Sequence, residues 1–483
     1  MLTIWDNTDG NPTNRLERVK MQDDDSIEIE KLRTEIRQIT SEIIRLCASR
    51  SEVAKKIGRF KQERGLIIQT PEVERDLRRA VLGEASKRGL DELFCLRLLN
   101  LLVGDSTKVQ KRESGEDHSS PLQTFAIAKQ MEERGDKVIH LEVGEPDLPP
   151  PRVVVEEIST AIDSGLTRYT ETRGAPKVLD AIRGYIRRRH KVSVAEDQVI
   201  VTPGGRFAIY GAIVSLIKPG DEVIIVEPAW PAYRDCVEIA GGKISPVVTS
   251  VDDGWALRAT DILNSISKAT RMIIINQPSN PTGKIPSEKI MRELAKVAKE
   301  ENIMILSDEV YHHYSYKPFT SILESTECPY IHIDSFSKSY SMTGYRIGYA
   351  VSDKDTIRKI SSLQSIAITS VPEFVQYAAI KALDQDSFVR NNFEEMERRR
   401  AVTCEELRHL PLTFVEPDGG FYVFPRIDKE IDTERLLMRI LEEKKVSLTP
   451  GRAFGPFENY FRLAFCQPEE VLREAIKRIG SLL

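Results

Sequence analysis

The 483-residue chain carries 69 lysines and arginines against 74 aspartates and glutamates, a formal net charge of -5, so no global basic field marks it for nucleic acid. At roughly 150 residues per folding unit the length allows about three units, enough for a sizeable core. Six cysteines (Cys47, Cys95, Cys236, Cys328, Cys404, Cys466) form no Cys-x-x-Cys pair, which signals neither a metal site nor a disulfide framework and fits a reducing cytoplasm. The polar, acidic stretch from Met1 to Asp25 lacks the apolar core of a signal peptide and reads as a disordered tail, and no later run approaches the ~18 apolar residues of a membrane span.

From Ile27 to about Gln110 the chain reads as helix, with Gly58, Gly65, Pro71, Gly83 and Gly89 as its breakers. Apolar residues at Leu32, Ile36, Ile39, Ile43, Leu46, Val53, Ile57 and Phe60 alternate in steps of four and three, and Arg50 fills the one slot they leave. An arginine in such a seam is costly unless it meets an anion, pairs with a carboxylate or snorkels out. Lys61, eleven residues on, is close to three turns away and shares its face, while Arg33 lies about 100° round the helix.

With Leu32-Arg33, Ile57-Gly58-Arg59-Phe60-Lys61, Glu74-Arg75 and Asp105-Ser106-Thr107-Lys108-Val109-Gln110, this segment resembles the all-helical chorismate mutases. The resemblance implies an all-α, three-helix chain intertwined with a second copy, rearranging chorismate to prephenate without covalent catalysis. Such a protein folds the dianion into a chair and stabilises charge on the breaking ether oxygen. By resemblance Arg50, and Arg33 from the other protomer, hold the carboxylates. Lys61 and Gln110 face the ether oxygen, and Glu74 and Ser106 orient the ring. Thr70 and Val73 stand where many members carry Asp and Arg, a departure that weakens contacts to the substrate hydroxyl.

Arg112 to Pro121 has linker composition. Beyond it come short β-branched runs, at Val199-Ile200-Val201, Glu222 to Val226, Met272 to Ile275 and Ile303 to Leu306, separated by helix-length amphipathic stretches. Strands alternating with helices predict a parallel sheet covered on both faces, with ligands beyond its carboxyl ends. The arginine runs 187–189 and 398–400 read as solvated helix faces.

At those strand ends stand Thr202-Pro203-Gly204-Gly205-Arg206, Asn276-Gln277-Pro278-Ser279-Asn280-Pro281-Thr282-Gly283, Ser307-Asp308-Glu309-Val310-Tyr311 and Asp334-Ser335-Phe336-Ser337-Lys338-Ser339. Each alone fits a turn or a helix cap, but in this order they resemble the fold-type I pyridoxal-phosphate enzymes, specifically the class I/II aminotransferases, over about Pro121 to Leu483. The resemblance implies an α/β fold, a large domain with a mostly parallel sheet and a smaller α/β domain. Its cofactor is pyridoxal 5'-phosphate, held as an imine on Lys338. It assigns Asp308 to the pyridine nitrogen, Tyr311 and Asn280 to the phenolic oxygen, and Trp230 to the ring face. The phosphate takes Gly205, Arg206, Ser335, Ser337 and Arg346, with Tyr169 reaching across from a neighbouring subunit. Arg462 clamps the substrate α-carboxylate, which Gly144 lets the backbone approach.

The expected organisation is a tail over 1–25, a mutase domain over 26–111, a linker over 112–120 and an aminotransferase domain over 121–483, its large part near 160–400 and its small part drawn from both ends. The expected function is bifunctional, in aromatic amino-acid synthesis. Chorismate, amino acids and 2-oxo acids are its substrates, in a cytoplasmic homodimer that needs neither metal, nucleic acid nor membrane. Two rivals keep part of the pattern: a general aspartate aminotransferase or lyase beside a weak or regulatory mutase domain, and a cofactor-sensing transcription regulator, against which the absence of a basic recognition helix argues.

Overall fold

The computed structural model describes residues 23–62, 64, 71–113, 121–324, 328–429 and 431–483. They form two compact units, residues 1–118 and 119–483. The expected tail over 1–25 falls almost wholly outside the described residues.

The first unit is three helices, α1 (Asp23–Gln62), α2 (Pro71–Lys87) and α3 (Glu92–Glu113), with α1 and α2 each packed on α3. Gly58 and Gly83, expected to break helix, lie inside α1 and α2. One glycine costs a helix only about 1 kcal/mol, which the helix formers around it offset. Pro71 opens α2 at the first helical position, where its missing N–H is no loss, and Gly89 makes the turn before α3 with φ 66°. α3 also runs through Arg112 to Glu113, two residues into the expected linker. Among the described residues its buried side chains are few and mostly small, such as Ala54, Ala85, Cys95 and Ser106, while the predicted seam on α1 stands open in the single chain.

The second unit is built on a sheet with, among the described residues, seven strands. After β1 (Ile139–His140) the chain forms β2 (Val199–Thr202), β3 (Glu222–Glu227), β4 (Lys243–Val248), β5 (Thr270–Asn276), β6 (Met304–Asp308), β7 (Tyr330–Ser335) and β8 (Gly348–Val351). The large sheet is ordered β2-β8-β7-β6-β5-β3-β4. Its pairings are parallel except around β8, which runs against β2 and β7, so the sheet is mostly parallel, as expected. Met272 and Ile274 face one hydrophobic core, Ile273 and Ile275 another, so both faces are buried and the strand reads as an unbroken apolar run.

A smaller region carries short strands near the C-terminus, including β9 (Leu412–Thr413), β10 (Tyr422–Val423), β11 (Arg426–Ile427), β12 (Val446–Ser447), β13 (Thr449–Pro450) and β14 (Phe461–Ala464). β1 pairs in parallel with β12, through Ile139↔Val446, so a segment from the start of the unit completes its end. Arg399 departs from the solvated face expected for its run. It is 3% exposed and grips Asp147 with two nitrogens, at 2.7 and 3.2 Å.

Candidate active site

Among the described residues, six strands of the large sheet run in one direction, all but β8, and their carboxyl ends deliver the chemistry. β2 leads through Gly204 into the helix Gly205–Leu216. Gly204 has φ 80°, and a Cβ there would lie 2.7 Å from Arg346 Nη2, so only glycine lets the guanidinium come this close. Ser335 and Ser337, at the end of β7, share a hydroxyl hydrogen bond of 2.9 Å. Arg346 donates to the Thr343 carbonyl at 2.7 Å. Burial lowers its pKa, and the neighbouring positive charge of Arg206 lowers it further. Two guanidiniums with hydroxyls at a helix N-terminus, paired with no carboxylate among the described residues, make an anion site.

Lys338 is partly buried just after β7. Its Nζ donates to the Gly144 carbonyl at 2.7 Å. Burial pushes its pKa down to about 8, with the charges of Arg462 and Arg346 helping and Glu145 opposing. A Cβ on Gly144 would lie 1.7 Å from the Tyr422 hydroxyl, so the close approach depends on glycine.

Asp308, at the end of β6, is 4% exposed, and burial lifts its carboxyl to about 6 against the lowering effect of a 2.5 Å hydrogen bond donated by Tyr233. Behind it, buried Glu309 lies 3.4 Å from His332. Burial raises Glu309, but His332 and the Ile322 and Ser321 donors outweigh that and hold it at about 2. Tyr311 meets the Tyr422 hydroxyl at 3.1 Å, and burial raises its pKa well above the usual phenol range.

Arg462, on β14, is 6% exposed. It donates to Asn280 Oδ1 at 2.9 Å and to the Glu142 carbonyl, lies over the Tyr422 ring at 4.5 Å, and keeps a buried Nε without a partner. Trp230 lies under the Arg206 guanidinium at 4.8 Å. The structure thus gathers Gly144, Asn280, Asp308, Tyr311, Lys338 and Arg462 around one space, with Gly205, Arg206, Ser335, Ser337 and Arg346 at the anion end. Tyr169 is the exception, at 88% exposed.

Sequence reading missed Tyr233 and Tyr422. Tyr233 lies three residues after Trp230, a spacing that could have placed both near one spot, whereas Tyr422 has no local signal. The loop carrying Gly144 is pinned by Asp147 on Arg399, also unforeseen.

In the first unit Arg50 reaches from α1 to α3, donating to the Ser106 hydroxyl and the Leu102 carbonyl. Gln110 is one turn beyond Ser106 and keeps a buried Oε1 without a hydrogen-bond partner. Arg33 is not part of this group. It is exposed and pairs with Glu30 at 3.3 Å. The side chains of Glu74 and Val73, and Thr70 altogether, lie outside the described residues.

Residues 136–479 match the family Aminotransferase class I and II, and residues 32–111 match Chorismate mutase type II. An aspartate aminotransferase of Thermotoga maritima is 37% identical over 78% of this chain and 99% of its own length. An aspartate/prephenate aminotransferase of Thermus thermophilus is 32% identical over 76% and 96%. The crystal structure of the Thermotoga maritima aspartate aminotransferase superposes with a TM-score of 0.71 at 36% identity, covering 75% of this chain and 96% of that one. The chain belongs to the class I and II aminotransferases and carries a chorismate mutase type II domain ahead of the aminotransferase fold.

Proposed function

We propose that the chain is a bifunctional enzyme of aromatic amino-acid synthesis, in which the first unit rearranges chorismate to prephenate and the second transaminates prephenate, or an arylpyruvate derived from it, with glutamate or aspartate as donor. The observation that carries this reading is the joining, on one chain, of a prephenate-forming fold to an aminotransferase fold with aspartate/prephenate aminotransferases among its relatives.

Pyridoxal 5'-phosphate fits the residues present. The anion site of Gly205, Arg206, Ser335, Ser337 and Arg346 suits its phosphate, Asp308 its pyridine nitrogen, and Tyr311 and Asn280 its phenolic oxygen. When bound, it supplies an aldehyde and an electron sink. Lys338, with its amine pushed down to about 8, can exist uncharged near neutral pH and hold or release a proton at Nζ. Arg462 offers a two-pronged grip for an α-carboxylate. In the first unit Arg50 faces the carboxylates beside Ser106, with Lys61 and Gln110 toward the ether oxygen. Exposed Tyr169 and Arg33 fit completion by a second subunit, and we assign a homodimer. Among the described residues no helix is long and apolar enough to cross a membrane.

A general aspartate aminotransferase is the second reading, favoured by relatives that carry that name. Assays of chorismate loss and of amino transfer to prephenate, phenylpyruvate and oxaloacetate on one preparation separate the two. Turnover with oxaloacetate alone, and none with prephenate or phenylpyruvate, would refute the proposal.

A further inference from the structure

Beside the cofactor-facing edge, the loops after β3, β4 and β5 enclose a cavity of about 230 Å³. Its wall is largely apolar, with Ile225, Pro228, Leu257, Ile274, Ile285 and Ile290. A cavity of about 150 Å³ with such a lining admits benzene, so this one has room for a single ring and a short substituent. Lys338 and Asp308 are not among its lining residues.

Two further features distinguish it from a packing defect. Lys284 and Asp418 both line it and pair at 2.5 Å, and Lys317 takes the other Asp418 oxygen at 2.6 Å. Lys317 lies outside the cavity wall and shares Asp418, so the carboxylate is divided between two ammonium groups and the Lys284 ammonium is left open to an anionic ligand group. Trp255, also in the wall, is 4% exposed and holds φ 58°, a left-handed backbone that bulky residues rarely adopt. Strain of this kind persists where the surroundings impose it, as at ligand clamps.

We propose that this cavity is a second ligand site, for a small carboxylate bearing a single apolar ring. The carboxylate meets Lys284 and the ring fills the space between Ile274, Leu257 and Ile290. The site is placed to influence the catalytic one, because Tyr233 and Asn280 belong to both walls. Tyr233 donates to Asp308, and Asn280 accepts from Arg462. A ring carboxylate could be an aromatic amino acid or its 2-oxo acid. That identification with pathway compounds rests on the proposed function, whereas the site itself does not.

The test uses 3-phenylpropanoate, which has the ring and the carboxylate but neither the amine nor the ketone of a substrate. Because it could also seat on Arg462, binding is measured on the full-length, cofactor-loaded R462A chain by calorimetry and tryptophan fluorescence. R462A should bind it, R462A/I290W should not, and R462A/K284M should bind at least about tenfold more weakly, the loss of one charge-assisted hydrogen bond. Retained melting temperature in the double variants guards against misfolding. No binding to R462A, or equal binding to R462A and R462A/I290W, would overturn the proposal. Titrating L-phenylalanine and phenylpyruvate against R462A then identifies the source by the tighter ligand. Absence of prephenate turnover would defeat the proposed function and leave these binding results unchanged.

Discussion

The two units solve the same problem, holding cations against a carboxylate substrate, at different levels of self-sufficiency. In the second unit one chain gathers half-buried Lys338 with buried Asp308 and Arg462, the latter only 6% exposed. In the first, Arg50 and Ser106 meet across α1 and α3, but Arg33 stays in solvent, and the seam residues Leu32, Ile36, Ile39 and Ile43 are 50–64% exposed. A 40-residue helix with an uncovered apolar stripe cannot draw its stability from its own chain. Burial of a site rests on sheet architecture in one unit, whereas in the other the open stripe and exposed Arg33 fit the proposed second copy.

The sharpest way to break that contrast is to disable each unit alone. Lys338→Ala should lower transamination by roughly 10⁴-fold, the upper range for acid-base groups, and leave chorismate loss unchanged, as paired steady-state assays will show. Arg50→Ala should lower chorismate turnover by about 10²–10³-fold with transamination intact. If the first site is shared between protomers, separately inactive R33A and R50A chains should regain part of the mutase rate when unfolded and refolded together. Absence of recovery would mean that both arginines of a site come from one chain, or that they do not share a site.

A stability measurement probes the burial of these groups directly. Lys338 has its folded pKa lowered from 10.5 to about 8, so the folded state is penalised below about pH 8 and the penalty fades as pH rises toward 10.5. Cofactor-free Lys338→Met should accordingly gain roughly 3 kcal/mol at pH 7 by denaturant unfolding, with the gain shrinking across that window. Asp308 carries the opposite sign. Burial raises its pKa from 3.8 to about 6, so its cost is absent in acid and complete above about pH 6. Ile36→Asp on the open stripe should cost about 2 kcal/mol per chain and shift the sedimentation of the full chain toward monomer, whereas a solvated stripe would show neither.

How much of this could be read from the chain depended on whether chemistry was local. Ser335-Phe336-Ser337-Lys338 and Asn280-Pro281-Thr282-Gly283 were readable because parallel strands place their working residues immediately past each apolar run, so the motif and the site are the same few positions. Tyr422, Asp147 and Arg399 were not, because their roles come from partners far away in sequence, and a buried arginine clamp has the same letters as a solvated one. The direction of β8 was equally hidden, since four apolar residues specify burial without specifying polarity. Gly58 and Gly83 misled for the reverse reason, a local rule overridden by the helix around them.

That reversed strand has a consequence for how the molecule can change. β7 and β8 pair antiparallel, with Ser335 opposite Gly348, so Lys338 and Arg346 belong to a single hairpin excursion. A Cβ on Gly348 would lie 2.8 Å from both the Asp334 carbonyl and the Gly205 nitrogen, wedging the hairpin's base against the anion-site helix. The amine and the guanidinium are therefore spaced by one loop of fixed length, like two pins on one bracket. Inserting or deleting a residue between Phe336 and Ile347 would change that spacing in one stroke, so this loop should tolerate substitution of its solvent-facing side chains far better than any change in its length.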